Sequence, residues 1–221
     1  ALNANLQIVV AFRMLPKVVW EMPKLGTFNL HASLLPNYRG AAPINWAIIN
    51  GETKTGVTTF FIDDKIDTGA MILSSEIEIE SNENAGQLHD RLMLLGSKTV
   101  IETLALIEKG KVTTTIQTEN PEIKTAYKLN KENCKIDWSK SAKEIYNLIR
   151  GLSPYPSAWC FFQDKNEEWN VKIHESKMTL ENHSLVTGSL ICRKKEMKIA
   201  VKDGFIEVIS LQFPGKKKMN T

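Results

Sequence analysis

Cysteine is scarce in this chain, and its three copies, Cys134, Cys160 and Cys192, stand far apart with no C-x-x-C spacing. An odd and scattered set excludes a fully paired disulfide framework and gives no zinc-ligand spacing; it fits a reducing cytosol, and no metal is expected. Long hydrophobic runs are missing too. No apolar stretch approaches the roughly 20 residues that span a bilayer, and the N-terminus has no basic segment followed by an apolar core and cleavage site. A soluble, cytoplasmic protein with no membrane partner is therefore expected. Charge of one sign is also lacking: 28 Lys and Arg against 25 Asp and Glu leave a net +3, which announces a nucleic-acid partner only where basic residues cluster locally. There is no initiating Met, and nothing resembling a first strand precedes Ile8. The chain is expected to begin mid-domain and, ending at Lys216–Thr221 just after a strand, to be truncated at both ends.

What is present suits two unequal domains, since 221 residues with 43% hydrophobic content can bury a full core. Leu6 to Phe12 is a short apolar run that predicts a strand buried on both faces of a parallel sheet, and Gly26 to His31 predicts a second. Pro43 and Gly51 bracket a helix running from Ala42 to Gly51. Val57 to Ile62 and Ala70 to Ile79 read as strands joined by an acidic loop, Asp63 to Gly69. Leu88, Leu92, Leu95, Val100, Leu104 and Ile107 recur at near-helical spacing between Asn84 as cap and Gly110 as terminator, which predicts one long amphipathic helix. Alternating strands and helices give an α/β layer whose ligand crevice lies at the carboxyl ends of strands.

Beyond residue 117 the pattern changes. Thr118 to Asp137 is polar and aperiodic and reads as a linker. Ser141-x-x-Glu144 is a capping box opening a helix through about Leu152, stopped by Ser153-Pro154-Tyr155-Pro156. Short strands follow at 158–162, 170–174, 188–192, 197–201 and 205–211, with Asp203-Gly204 as a hairpin turn. A small closed or partly open β-barrel is expected over 138–221, an architecture that often binds oligonucleotides.

Chemistry concentrates in Phe28-Asn29-Leu30-His31-Ala32-Ser33-Leu34-Leu35-Pro36-Asn37-Tyr38-Arg39-Gly40. Asn29 and His31 are two apart on a strand, so both side chains project to one side. An amide can donate to a developing oxyanion, and an imidazole can shuttle protons or, once protonated, stabilise that anion. Asp67, in the acidic loop, can orient the imidazole and offer it an opposite charge. Singly, each has a plainer role: turn former, surface histidine, turn aspartate.

Taken together the residues say more. The string N-L-H-A-S-L-L-P-N-Y-R-G-A-A-P, followed by T-G-V-T and I-D-T-G, closely resembles the signature of the 10-formyltetrahydrofolate-dependent formyltransferases. The resemblance implies a Rossmann-like catalytic domain over 1–117, a catalytic set of Asn29, His31 and Asp67, and 10-formyltetrahydrofolate as formyl donor. Val9 to Pro16, with Met14 and Leu15, looks like the strand and loop flanking the folate pterin. Ser33-Leu34-Leu35-Pro36 looks like the folate-contacting turn. A flat pterin takes apolar walls with main-chain donors and acceptors, although Leu34 and Leu35 taken alone suit ordinary core packing.

The formyl acceptor is read from the second half. Lys128-Leu129-x-x-Glu132, Ile136-Asp137-Trp138-Ser139 and Leu211 to Met219 resemble the linker and barrel of formyltransferases whose acceptor is initiator methionyl-tRNA. Arg193-Lys194-Lys195 and Lys216-Lys217-Lys218 are basic clusters suited to phosphates, against the plainer alternative of a solvated loop and tail. The resemblance also implies that a first strand and a basic tRNA-contacting loop precede Ala1. A nucleotide-linked amino sugar is the alternative acceptor, supported by Asn45-Trp46 and Asn50-Gly51-Glu52. A folate- or RNA-binding module without turnover is disfavoured by the joint presence of Asn29, His31 and Asp67. A monomer is expected.

Overall fold

The computed structural model describes residues 3–10, 14–164, 167–194 and 196–221. The chain divides into two compact units: Ala1–Ile44 with Thr53–Ile79 and Leu88–Lys128, and Asn45–Glu52 with Glu80–Gln87 and Leu129–Thr221. In chain order the first half contains β1 (Gln7–Val9), α1 (Lys17–Trp20), β2 (Thr27–His31), β3 (Arg39–Gly40), α2 (Pro43–Ile49), β4 (Lys54–Phe61), β5 (Met71–Glu78), α3 (Ala85–Glu108) and β6 (Thr125–Ala126).

Four strands form the first unit's sheet, in the order β1-β2-β4-β5. Only β1 and β2 are parallel; β2–β4 and β4–β5 run antiparallel. The parallel pairing expected of the first two strands is seen, while the sheet as a whole is mixed. A parallel return needs a crossover of a dozen or more residues, and the connection between Phe61 and Met71 is too short for one. The strand expected from Leu6 to Phe12 is seen as β1; its continuation at Ala11 and Phe12 lies outside the described residues. Burial on both faces is not found, because Ile8 and Val10 are exposed; among the described residues β1 pairs only with β2.

The long helix α3 covers one face of this sheet through a stripe that mixes apolar, small and hydroxyl side chains. Leu88, Leu92, Gly96, Thr99, Thr103 and Ile107 are among its buried positions. A Cβ on Gly96 would stand 2.7 Å from Leu30 Cδ2, so the absent side chain permits close helix–sheet approach. Thr103 Oγ1 meets Thr59 Oγ1 at 2.8 Å, and Thr99 Oγ1 donates to Ser75 Oγ at 2.9 Å. These bonds satisfy hydroxyls that burial would otherwise penalise by about 1–3 kcal/mol each. Asn84 and Gln87 exchange side-chain-to-backbone bonds of 2.9 and 3.0 Å at the helix start. At the other end Gly110 adopts φ +63, a left-handed terminator that glycine accepts without Cβ strain.

The second unit holds α4 (Ala142–Gly151), β7 (Ala158–Asp164), β8 (Glu167–Leu180), β9 (Leu190–Arg193), β10 (Glu196–Val201), β11 (Gly204–Gln212) and β12 (Met219–Asn220). The last six make one antiparallel sheet, β7-β8-β11-β10-β9, with β12 joining β11. Its end strands β7 and β9 are not paired to each other among the described residues, so the expected barrel is of the partly open kind, a curled half-barrel. A register irregularity between Val208 and Leu211 supplies local bending, as bulges do. Residues 134–136 run along β7, where Ile136 N donates to Trp159 O and Trp159 N to Cys134 O, and Cys134 and Ile136 are part of the core.

That core gathers Ile145, Ile149 and Leu152 from the helix and its C-cap against Val171, Ile173, Ile199, Ile206 and Val208. The capping box is present: Ser141 Oγ accepts from Glu144 N, and the Glu144 carboxylate accepts from Ser141 N. A second anchor comes from far along the chain. Asp203, in the β10–β11 turn, accepts from Ala142 N through Oδ1 at 2.7 Å.

Candidate active site

The site grows from the carboxyl end of β2. Strand alternation sends Asn29 and His31 to one side and Phe28 and Leu30 to the other. Both polar residues are almost fully enclosed, with Asn29 3% and His31 7% exposed. Asn29 Nδ2 donates to Val9 O at 2.9 Å, which fixes the amide plane and leaves its second N–H free to point elsewhere. His31 Nε2 lies 2.8 Å from Tyr38 O. A carbonyl only accepts, so Nε2 carries the proton and Nδ1 is the ring nitrogen turned toward Asp67.

Residues 32–38 make this possible by folding back on themselves. Ser33 Oγ donates to Asn37 O at 2.7 Å, Leu35 N donates to Thr58 Oγ1 at 3.2 Å, and Thr58 Oγ1 donates to Ser33 O at 2.7 Å. The returning chain passes through Tyr38 at φ +62 and Gly40 at φ +119. At Gly40 a side chain is excluded twice over, since a Cβ would lie 2.4 Å from Ala126 O.

Asp67 arrives from the β4–β5 loop with φ +54. Its Oδ2 accepts from Gly40 N at 2.8 Å and stands 3.7 Å from His31 Nδ1. That separation is too long for a hydrogen bond, and it leaves the carboxylate facing the ring nitrogen. The loop is held from inside by Asp63, which accepts from Lys65 N and Thr68 Oγ1. From behind it is held by Gln117, whose Nε2 donates to Asp67 O at 2.9 Å and Gly69 O at 2.8 Å. Arg39 Nε in turn donates to Gln117 Oε1 at 2.9 Å, and Arg39 Nη2 is buried without a partner among the described residues.

Asn29, His31 and Asp67 all open onto one cavity of about 850 Å³, within the range of small-molecule sites. Met14 and Leu15 lie on its wall, with Val10, Ile44, Val57 and Phe60 adding apolar surface, and residues 62–67 contribute polar groups. Such walls fit a flat, partly apolar heterocycle, with three polar side chains beside it.

Ser33, Leu34, Leu35 and Pro36 do not line this cavity, whereas the preceding Ala32 does. Ser33 and Leu35 are buried and use their polar atoms in the fold-back. Leu34 packs against Gly56, where an added Cβ would meet its Cδ2 at 2.6 Å. The turn thus shapes the site from outside it. Sequence reasoning missed the cavity residues His89, Met93 and Ser97 on α3, and it missed Gln117. The first three could have been sought on the helix flank beside its apolar stripe; Gln117 sits in an aperiodic stretch and gave no signal.

The basic residues belong to the other unit. Arg193 and Lys194 are exposed at the β9–β10 turn, where Arg193 pairs in register with Glu196; Lys195 lies outside the described residues. Lys216, Lys217 and Lys218 form the exposed β11–β12 connection, and Lys218 Nζ is 2.6 Å from Glu175 Oε1.

Comparison with known proteins agrees with this geometry. Residues 1–104 match the Formyl transferase family and residues 128–221 the Formyl transferase C-terminal domain. Methionyl-tRNA formyltransferase of Flavobacterium johnsoniae is 78% identical over 219 residues, covering 99% of this chain and 70% of that protein. The Bacteroides fragilis enzyme of the same name is 53% identical over 224 residues, covering 99% and 69%. Among solved structures, an N-formyltransferase from Helicobacter canadensis in complex with folinic acid and dTDP-3-aminofucose aligns with a TM-score of 0.70 at 26% identity, over 91% of this chain and 71% of that one. HypX from Aquifex aeolicus in complex with tetrahydrofolic acid, at 20% identity and a TM-score of 0.74 over 98% of this chain and 37% of that one, shares the fold. With an Asn, a His and an Asp converging on one cavity and both domain matches in place, the chain belongs to the formyl transferase family.

Proposed function

We propose that this protein transfers the formyl group of 10-formyltetrahydrofolate to the α-amine of initiator methionyl-tRNA. The observation that carries the chemistry is the convergence of Asn29, His31 and Asp67 on one end of an apolar cavity. The high identity to proteins named methionyl-tRNA formyltransferase supports the acceptor.

The folate co-substrate supplies an activated formyl carbon. Met14, Leu15 and the apolar wall would hold its ring, and the main-chain groups of residues 62–67 would bond its edge. As the amine attacks, negative charge develops on the formyl oxygen. The free N–H of Asn29 is fixed in advance by the Val9 bond and meets that charge without reorganising, the condition under which such donors are most effective. His31 stands beside it: with Nε2–H held by Tyr38 O, Nδ1 can take the proton that the attacking amine loses. Asp67 favours the charged ring that results. The new C–N bond forms, the bond from the formyl carbon to the folate nitrogen breaks, and that nitrogen takes up a proton, which balances the step.

In this reading residues 1–117 are the catalytic domain, 118–137 the linker and 138–221 the barrel domain, with Lys216, Lys217, Lys218, Arg193 and Lys194 facing tRNA phosphates. Ser33 to Pro36 support the folate site at one remove. The protein acts as a monomer in the cytoplasm, to be checked by sedimentation and fractionation. Formyl transfer measured in parallel with charged initiator tRNA and with nucleotide-linked amino sugars tests the acceptor. Activity on the sugar alone would overturn it.

A further inference from the structure

We infer that Gln117 is a positioning residue for the reaction. It sets the loop that carries Asp67 and, through Arg39, locks that loop to the turn on which His31 rests. This rests on the proposed roles of His31 and Asp67.

Asp67 has little support from within its own loop. It sits in the left-handed backbone region at φ +54, which is uncommon for non-glycine residues although Asp enters it more readily than most. Inside the loop, Asp63 accepts from Lys65 N and Thr68 Oγ1, and as an acceptor it has nothing to donate to the carbonyls of Asp67 and Gly69. Both carbonyls are instead taken by one amide, Gln117 Nε2, at 2.9 and 2.8 Å. Gln117 comes from the aperiodic stretch after α3 and is 7% exposed, so these bonds are shielded from competing water.

Its carbonyl oxygen has a definite partner as well. Arg39 Nε donates to Gln117 Oε1 at 2.9 Å, which fixes the orientation of the amide: oxygen to the guanidinium, nitrogen to the loop. Arg39 is itself held by the β3–β6 pairing, Arg39 opposite Thr125 and Gly40 opposite Ala126. The next link returns to the catalytic group, because Gly40 N donates to Asp67 Oδ2. Asp67 is therefore gripped at its main chain by Gln117 and at its carboxylate by Gly40, and the two grips meet at Arg39. The same strip bears on His31, since Tyr38 O accepts from His31 while Tyr38 N donates to Lys124 O. Residues 117–126 thus act as a frame behind the reacting groups. A displacement of about 1 Å at such a group can cost about 100-fold in rate.

The test uses the intact protein and two variants. Gln117→Leu removes donor and acceptor; Gln117→Glu keeps the acceptor for Arg39 and the volume but presents no donor to the two carbonyls. Both are expected to lower kcat for formyl transfer by about 10- to 100-fold, with the dissociation constant for tRNA unchanged. In the Asp67→Asn background, either substitution is expected to lower kcat by less than about 3-fold, because residues that act as one unit do not add. A role confined to general stability would instead multiply with Asp67→Asn, and that result overturns the inference. So does a Gln117→Glu variant with normal kcat. If Asp67→Asn alone leaves kcat intact, the reading of the catalytic set has failed instead, so the two failures are told apart.

Discussion

Replacing Asn29 by Ala separates a catalytic donor from a structural polar group. Two bonds are at stake. The one seen, Asn29 Nδ2 to Val9 O at 2.9 Å, joins neighbouring strands; losing it removes one bond from a carbonyl that also lies in the β1–β2 ladder and costs about 0.5–1.5 kcal/mol of stability. The one assigned to the reaction, from the free N–H to the developing oxyanion, is worth about 2.7–4 kcal/mol, or about 10²- to 10³-fold in kcat. The second effect acts on the rate alone, so a variant that remains folded should be severely slowed while folate affinity changes little. Asn29→Asp sharpens the case: it preserves shape, turns an acceptor toward Val9 O and offers no donor, and is expected to be no better than Ala. Single-turnover formylation gives the chemical step, fluorescence titration gives folate affinity, and a melting curve reports folding. Unchanged single-turnover rate with weakened folate binding would refute the oxyanion role.

Further outcomes follow from other parts of the chain. Triple Lys→Ala replacement at Lys216, Lys217 and Lys218 should weaken tRNA binding and flatten its salt dependence by about 0.7–0.9 in log–log slope for each phosphate no longer neutralised; Lys218, already paired with Glu175, should contribute least, and an unaltered slope would remove these residues from the interface. The His174 imidazole is held below its ordinary value of 6.5, chiefly by burial, with Lys218 and Lys172 adding to the effect. Neutral His174 is thus favoured by the fold, and the stability it contributes is present above about pH 6.5 and lost as pH falls through the depressed value. Urea midpoints compared between about pH 7 and pH 5 should decline less in His174→Gln, and an identical decline would place the effect elsewhere. Burial pushes the Cys160 thiol up to about 12, so alkylation of the native protein should modify exposed Cys192 and spare Cys160 until unfolding; mass mapping of the labelled peptides checks this.

The reach of sequence reading differs from residue to residue for physical reasons. Asn84, Gly110, Ser141 and Glu144 were legible because caps act within three or four residues, and the structure keeps all four in those roles. Asn29, His31 and Asp67 were legible as a pattern, and their convergence on one cavity is a matter of strand alternation plus one loop. The direction of β4 and β5 was not legible, since an apolar run looks alike whichever way its neighbour runs. The buried stripe of α3 was legible in part: Leu88, Leu92 and Ile107 are buried as their spacing predicts, but Thr99 and Thr103 are buried between them, and hydroxyls bury cheaply only when Thr59 and Ser75 stand opposite, tens of residues away. Gln117 was invisible for the same reason, as its three bonds reach back 48 to 78 positions.

The bond between Asp203 and the first turn of α4 bears on how this half of the chain can be rearranged. A two-residue connection between exposed strands is ordinarily where a fold accepts an inserted peptide or a new pair of termini. Here the turn carries the carboxylate that satisfies Ala142 N at the positive end of a helix dipole. The helix can start from its local Ser141–Glu144 box, but its full capping awaits a hairpin 61 residues downstream, so helix docking and hairpin closure should be late and coupled folding events. Opening the chain at residues 202–203 would uncap a helix whose inward face supplies Ile145 and Ile149 to the core, and circular permutants cut there should lose cooperativity where cuts in the exposed 184–187 stretch do not.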